Sequence, residues 1–128
     1  MIQRTPIDAE GAPAAVGPYS HAVRHGDVLY CSGAIPLDPE SQEIVGSSLA
    51  AETGQCLRNL DAVCRAAGTE LANTLRATIY TTDLGGFGEI NAAYGEFFPS
   101  APPARVTVGV AALPKGARVE IDAIVAVG

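Results

Sequence analysis

A guanidinium and two carboxylates stand at matching phases of two alternating runs near the C-terminal end of the sequence, and chemistry is most readily assembled there. In ARVTVGVAALPKGARVEIDAIVAV, residues 104–127, Val106, Val108 and Val110 alternate with Arg105, Thr107 and Gly109. Beyond Pro114-Lys115-Gly116, Val119, Ile121, Ala123 and Val125 alternate with Glu120 and Asp122. Successive strand residues point to opposite sheet faces. The pattern therefore predicts a β-hairpin whose valine rows pack under helices and whose other face carries Arg105, Thr107, Glu120 and Asp122 together. With a turn centred near Leu113-Pro114, Glu120 lies across from about Thr107, one same-face step of roughly 7 Å from Arg105. That leaves room for a small molecule.

Arg105 follows Pro102-Pro103-Ala104 at a strand start, where its planar fork can grip a carboxylate through two parallel hydrogen bonds. The competing reading is a structural salt bridge to Glu120 or Asp122. For Glu120 the choice is between general acid/base work and the solvated or salt-bridged role of most strand carboxylates. Other chemistries lack residues. His21 and His25 share one predicted hairpin, and without CxxC or HExxH spacing no metal site is expected. The only lysine, Lys115, falls in a turn, where water keeps it protonated and unfit for Schiff-base chemistry. No GxGxxG, GxxxxGK[ST] or GxSxG string is present, which argues against the common dinucleotide, phosphate-loop and hydrolase-elbow sites. What remains is cofactor-free acid/base work on a small anionic substrate.

Fourteen acidic residues against eight basic ones give a net charge of −6. A nucleic-acid site needs clustered Lys/Arg to neutralise phosphates, and the basic residues here are scattered, so no nucleic-acid partner is expected. No apolar run approaches the ~20 residues that span a bilayer, and the first fifteen residues lack a secretory pattern. The expectation is a soluble cytoplasmic protein with no membrane partner. Cys31, Cys56 and Cys64 are odd in number; on one helix Cys56 and Cys64 would lie about 12 Å apart, too far for a disulfide. They are expected to be buried thiols in a reducing compartment.

With 128 residues, 48% of them hydrophobic and 17% charged, the chain suits one packed α+β domain over residues 1–128. Tyr19–Gly33 reads as a hairpin around His25-Gly26-Asp27, followed by an exposed loop, AIPLDPESQEIVG. Leu49, Cys56, Leu57, Leu60, Val63, Cys64 and Ala67 recur at helical intervals and predict an amphipathic helix over 47–67, capped by Ser47 or Ser48 and ended by Gly68. TLRATIYTTDL reads as a strand with Leu75, Ala77 and Ile79 on one side. Phe87, Ile90, Tyr94 and Phe97 mark a second helix, which Gly85, Gly86, Gly88 and Gly95 weaken locally, so packing must hold it.

Four motifs, in order along nearly the whole chain, resemble those of the RidA/YjgF (reactive intermediate/imine deaminase) family. GPYSHAV at 17–23 is similar to its GPYSQAV segment, CSGAIPLDP at 31–39 to its SGQIPxxP loop, and INAAYGEFF at 90–98 to its VNxxYxxFF helix. PARVTVGVAALPKGARVEIDAIV at 103–125 resembles its PAR(S/T)xVxVxxLPxxxxVEIxAIA signature. The resemblance implies a six-stranded mixed sheet with two helices packed on one face, the chorismate mutase-like fold. It also implies a barrel-like homotrimer with active sites between subunits. The implied reaction is hydrolysis of 2-aminoacrylate/2-iminopropanoate and 2-iminobutanoate to 2-keto acids and ammonia, with no cofactor and no metal. By the same resemblance Arg105 holds the substrate carboxylate and Glu120 handles water. Tyr19, Ser32, Gly33 and Asn91 shape the pocket, and Thr107, where the family often has cysteine, contributes backbone. The chain departs from the pattern at His21 in place of glutamine, in the glycine-rich GGFG at 85–88, and in a shorter FFPSAPPAR connection. Related readings are a subgroup deaminase for an aminomuconate or a pyrimidine-breakdown product, and a non-catalytic module that binds small carboxylates. A ribonuclease role is opposed by the acidic charge.

Overall fold

Local signals explain the first helix and the first hairpin. The computed structural model describes residues 2–128. Helix α1, Leu49–Ala66, begins where the Ser48 side chain accepts the Ala51 N–H, and it stops before Gly68 at φ +83°, a conformation glycine adopts without penalty. Its periodic stripe Cys56, Leu57, Leu60, Val63 and Cys64 is buried. Helix α2, Phe87–Phe97, has no side-chain cap of its own and buries Ile90 and Tyr94. Packing holds it, together with the Glu89 carboxylate, which accepts the Ala50 N–H at the start of α1. No helix among the described residues is long and apolar enough to cross a membrane.

Six strands form one mixed sheet: β1 Thr5–Ile7, β2 Ala22–His25, β3 Val28–Ala34, β4 Thr74–Thr81, β5 Ala104–Gly109 and β6 Val119–Ala126, in the order β1-β2-β3-β6-β4-β5. The β2–β3 hairpin turns through Gly26 at φ +61°, as its sequence leads one to expect. All neighbours are antiparallel except β4 and β5. Leu29, Ile79, Val119, Ile121 and Val125 are fully buried on the face that α1 and α2 cover; each such side chain contributes roughly 1.5–3 kcal/mol of transfer free energy. The opposite face is open and carries Tyr30, Val106 and Val108, all substantially exposed.

Two expectations are corrected. First, residues 104–127 do not form a hairpin: β5 is an edge strand parallel to β4, while β6 lies between β3 and β4. Arg105 and Thr107 are in register with Ala77 and Ile79 on the helix face, whereas Glu120 and Asp122 are in register with Tyr80 and Thr78 on the open face. The four polar residues therefore do not share a surface, and Val106 and Val108 are not under the helices. An alternating run defines two faces without saying which one is buried. The connection through α2 returns β5 as a parallel neighbour of β4, reversing the phase that an antiparallel hairpin would have imposed. Second, Leu75 sits at a register shift between Thr74 and Arg76 and is half exposed, so the buried row of β4 is Thr74, Ala77, Ile79 and Thr81.

Candidate active site

The expected site residues fall into two clusters on opposite sides of the sheet. On the helix face, Arg105 reaches under α2. Its Cζ lies 4.9 Å from the ring centroid of Tyr94 and 5.5 Å from that of Phe87, and its Nη1 donates to Asn91 Oδ1 at 2.8 Å. Phe87, Asn91 and Tyr94 are spaced four and three residues apart, so one stripe of α2 presents all three. Two aromatic faces and an amide thus orient the guanidinium without neutralising it. None of the salt bridges among the described residues involves Arg105, so the structural ion pair with Glu120 or Asp122 does not form. Most of the five donors of the fork remain available to an anion. The Thr107 hydroxyl is buried without a partner among the described residues, and the residue stands on an edge strand, whose outer side has no neighbouring strand.

Glu120 anchors the second cluster, at the start of β6 on the open face. Burial pushes its carboxyl above the usual glutamate range, and the like charge of Asp122 adds to the effect. Asp122 accepts a hydrogen bond of 2.9 Å from the Tyr80 hydroxyl, which pushes the Tyr80 phenol up. Gly33 makes the space that Glu120 occupies, because a Cβ there would collide with the Glu120 carboxylate. The β3–β6 register shifts between Cys31 and Ala34, and this irregularity turns Ser32 and Gly33 toward the carboxylate. Ser32 Oγ donates to Ser20 O at 2.7 Å, and the Tyr19 hydroxyl accepts the Val16 N–H at 3.2 Å. Tyr19, Ser32, Gly33 and Glu120, with Val16, Ile35 and Pro114, line an open cavity of about 280 Å³.

An ion pair between the buried Glu52 and the partly exposed Arg118 braces the entry of β6 into the sheet. The Glu52 carboxylate accepts from Arg118 N at 2.8 Å and from Arg118 Nε at 2.6 Å, while Arg118 Nη2 donates to Gly46 O at 3.1 Å. The Arg118 carbonyl in turn accepts the Thr81 hydroxyl at 2.8 Å. These bonds tie α1, β4 and the loop before α1 to the residue two positions before Glu120.

Tyr19, Ser32, Gly33 and Glu120 are thus brought together, as are Arg105, Asn91 and Thr107, but the two groups face away from each other. Sequence reasoning missed Phe87 and Tyr94 as supports for Arg105, although their shared helical stripe with Asn91 was there to be read. It also missed the Glu52–Arg118 pair, whose partners are 66 residues apart and carry no local signal.

Known proteins resemble this chain along nearly its whole length. A family model described as "Endoribonuclease L-PSP" matches residues 9–127. A RutC family protein of Sinorhizobium fredii is 48% identical over 120 residues, 94% of this chain and 95% of its own length. A protein of Mus musculus named 2-iminobutanoate/2-iminopropanoate deaminase is 42% identical over 127 residues, 99% of this chain and 94% of its own. The crystal structure of the YjgF gene product of E. coli superposes with a TM-score of 0.90 at 38% identity, covering 95% of this chain and 98% of that one.

Proposed function

The chain belongs to the RidA/YjgF family, and from that premise we propose that it hydrolyses small 2-imino acids, 2-iminopropanoate and 2-iminobutanoate among them, to 2-keto acids and ammonia. The observation that carries this reading is an Arg105 guanidinium stacked on Tyr94 and Phe87 with no carboxylate partner among the described residues. Orienting a cation without neutralising it suits the capture of a substrate carboxylate. The mammalian relatives named for this activity support the choice of substrate.

One chain holds Arg105 and Glu120 on opposite faces of its sheet. The proposal therefore includes a homotrimer, in which the Arg105 cluster of one copy meets the Glu120 cavity of the next. In that site the substrate carboxylate sits on the Arg105 fork with Asn91 beside it, and Tyr19, Ser32, Gly33 and the Thr107 main chain complete the walls. The Glu120 carboxylate takes a proton from water as the water oxygen bonds to the carbon of the protonated imine, whose C=N π pair moves to nitrogen, giving a neutral carbinolamine. Glu120 then returns that proton to the nitrogen; as the C–N bond breaks and ammonia leaves, the carbinolamine hydroxyl gives its proton back to Glu120 and its oxygen becomes the carbonyl of the 2-keto acid. A carboxyl pushed upward by burial suits both halves of this exchange, and such proton transfer typically contributes about 10²–10⁴-fold. An imine is already electrophilic, so orientation beside water supplies much of the rest.

Purified protein is expected to accelerate loss of enzyme-generated 2-aminoacrylate and its imine tautomer, while an Arg105→Ala variant does not. Equal rates with and without the wild-type protein overturn the proposal. The ribonuclease reading suggested by the family model's description has a net charge of −6 against it.

A further inference from the structure

Behind the Glu120 cavity lies a second, more enclosed chamber of about 50 Å³. Ala12 and Val16 of the N-terminal segment roof it, Ile35 and Leu37 of the loop after β3 wall it, and Leu60 and Val63 of α1 form its floor. Val16, Tyr19, Ser32, Gly33 and Ile35 line both spaces, so the chamber adjoins the cavity that holds the carboxylate. The polar groups on its walls already have partners. Asn59 Nδ2 donates to the carbonyls of Ile35 and Leu37, and its Oδ1 accepts from Gln55. Ser32 donates to Ser20 O, and the Tyr19 hydroxyl accepts the Val16 N–H.

His21 is committed in the same way. Its Nδ1 lies 2.9 Å from Ala9 N, an obligatory donor, so Nδ1 accepts and Nε2 carries the hydrogen that goes to Pro13 O at 2.8 Å. These bonds fix the roof in place, so the chamber exists before any ligand arrives. A preformed space lined mainly by apolar side chains, with His21, Ser32 and Asn59 already hydrogen-bonded, gives water little to hold and favours an alkyl group. Its volume corresponds to roughly three or four water-sized spheres, about that of an isopropyl or isobutyl group.

We propose that this chamber receives the aliphatic side chain of the imino acid, with Val63 at its floor as a size-determining residue, so that the enzyme prefers branched three- and four-carbon side chains to a single methyl. The inference rests on the imine-hydrolase reading and specifies the substrates of that same site. Each methylene placed in such a pocket discriminates by about 10–200-fold. The leucine-derived imine should therefore exceed the alanine-derived imine in kcat/KM by at least about tenfold.

The test generates imines in situ from alanine, 2-aminobutyrate, valine, leucine and phenylalanine with an amino-acid oxidase. Hydrolysis is measured against a competing nucleophilic trap, and each rate is compared with the uncatalysed hydrolysis of the same imine. The wild type should peak at valine and leucine. Val63→Phe, which fills the floor, should lower the leucine-to-alanine ratio about tenfold; Val63→Ala, which deepens it, should move the optimum toward phenylalanine. Thermal melts establish that each variant is folded, and Val63→Ala alone decides the matter if Val63→Phe does not fold. Acceleration of all five imines with a flat profile, or ratios untouched by the Val63 substitutions, overturns the chamber while leaving imine hydrolysis standing. No acceleration of any imine overturns both.

Discussion

The Arg105 cluster and the Glu120 cluster solve opposite problems with opposite materials. Arg105 stands on an edge strand, on the helix face, and is held by two aromatic rings and one amide. Every support is neutral, so the full positive charge remains for a ligand. Glu120 stands on a strand between two others, on the open face, beside a second carboxylate. Its surroundings resist negative charge, so its proton is held more tightly than usual. In the proposed reaction Arg105 would bind an anion and Glu120 would exchange a proton. Such a division of labour is useful only if the two meet, and within one chain the sheet stands between them.

Replacing each cluster separately tests whether the two differ as described. The largest effect is expected from Arg105→Ala, a fall in kcat/KM of about 10²–10³-fold from loss of a charged, bidentate contact, with the melting temperature nearly unchanged because no ion pair is broken. Arg105→Lys should recover little of the activity, since an ammonium cannot reproduce the stacked fork. Next comes Glu52→Ala. Glu52 is almost wholly buried and Arg118 is partly exposed, so breaking the pair should cost about 2–3 kcal/mol of stability in denaturant unfolding, below the range for a fully buried pair. Glu52→Gln keeps acceptor capacity and should cost less.

Gly33→Ala should lower kcat about tenfold or more by displacing the Glu120 carboxylate with only a small change in stability, since the side chain that must move is flexible. The smallest effect is a shift in pH dependence. In the proposed mechanism Glu120 must be ionised, so the acid limb of the kcat/KM profile should lie above the ordinary glutamate range, and activity should fall as pH drops through it. Asp122→Asn removes a like charge, lowers the Glu120 pKa and moves that limb to lower pH. A limb that moves upward or stays fixed in that variant would show that Asp122 does not act on Glu120.

Legibility in the sequence followed the range of the interaction. Ser48 at the N-cap, Gly26 in the turn and the stripe of α1 are set by neighbours a few residues away, and all appear where the pattern put them. The apolar row of β6 was equally plain, because a central strand buries its whole apolar side. In β5 the apolar row points to the core by pattern, yet Val106 and Val108 lie on the open face. Only its parallel pairing with β4, made through the intervening α2, decides that Arg105 and Thr107 face the helices. The members of each cluster were readable from motif resemblance, but their division between two faces was not, because register across three strands leaves no trace in any one of them. The stacking of Arg105 on Phe87 and Tyr94 was half legible: the stripe containing Asn91 was in view, and the strand residue it would meet was not.

Mixing two damaged proteins tests most directly whether the clusters meet between copies. Arg105→Ala and Glu120→Gln are each expected to be nearly inactive alone. Unfolded and refolded together in equal amounts, they should form mixed rings in which about one quarter of the interfaces carry both intact residues, and deaminase activity should return to about that fraction of wild type. Activity that stays at the level of the separate variants, in material shown by mass spectrometry to contain mixed rings, would contradict a site built from Arg105 of one copy and Glu120 of another.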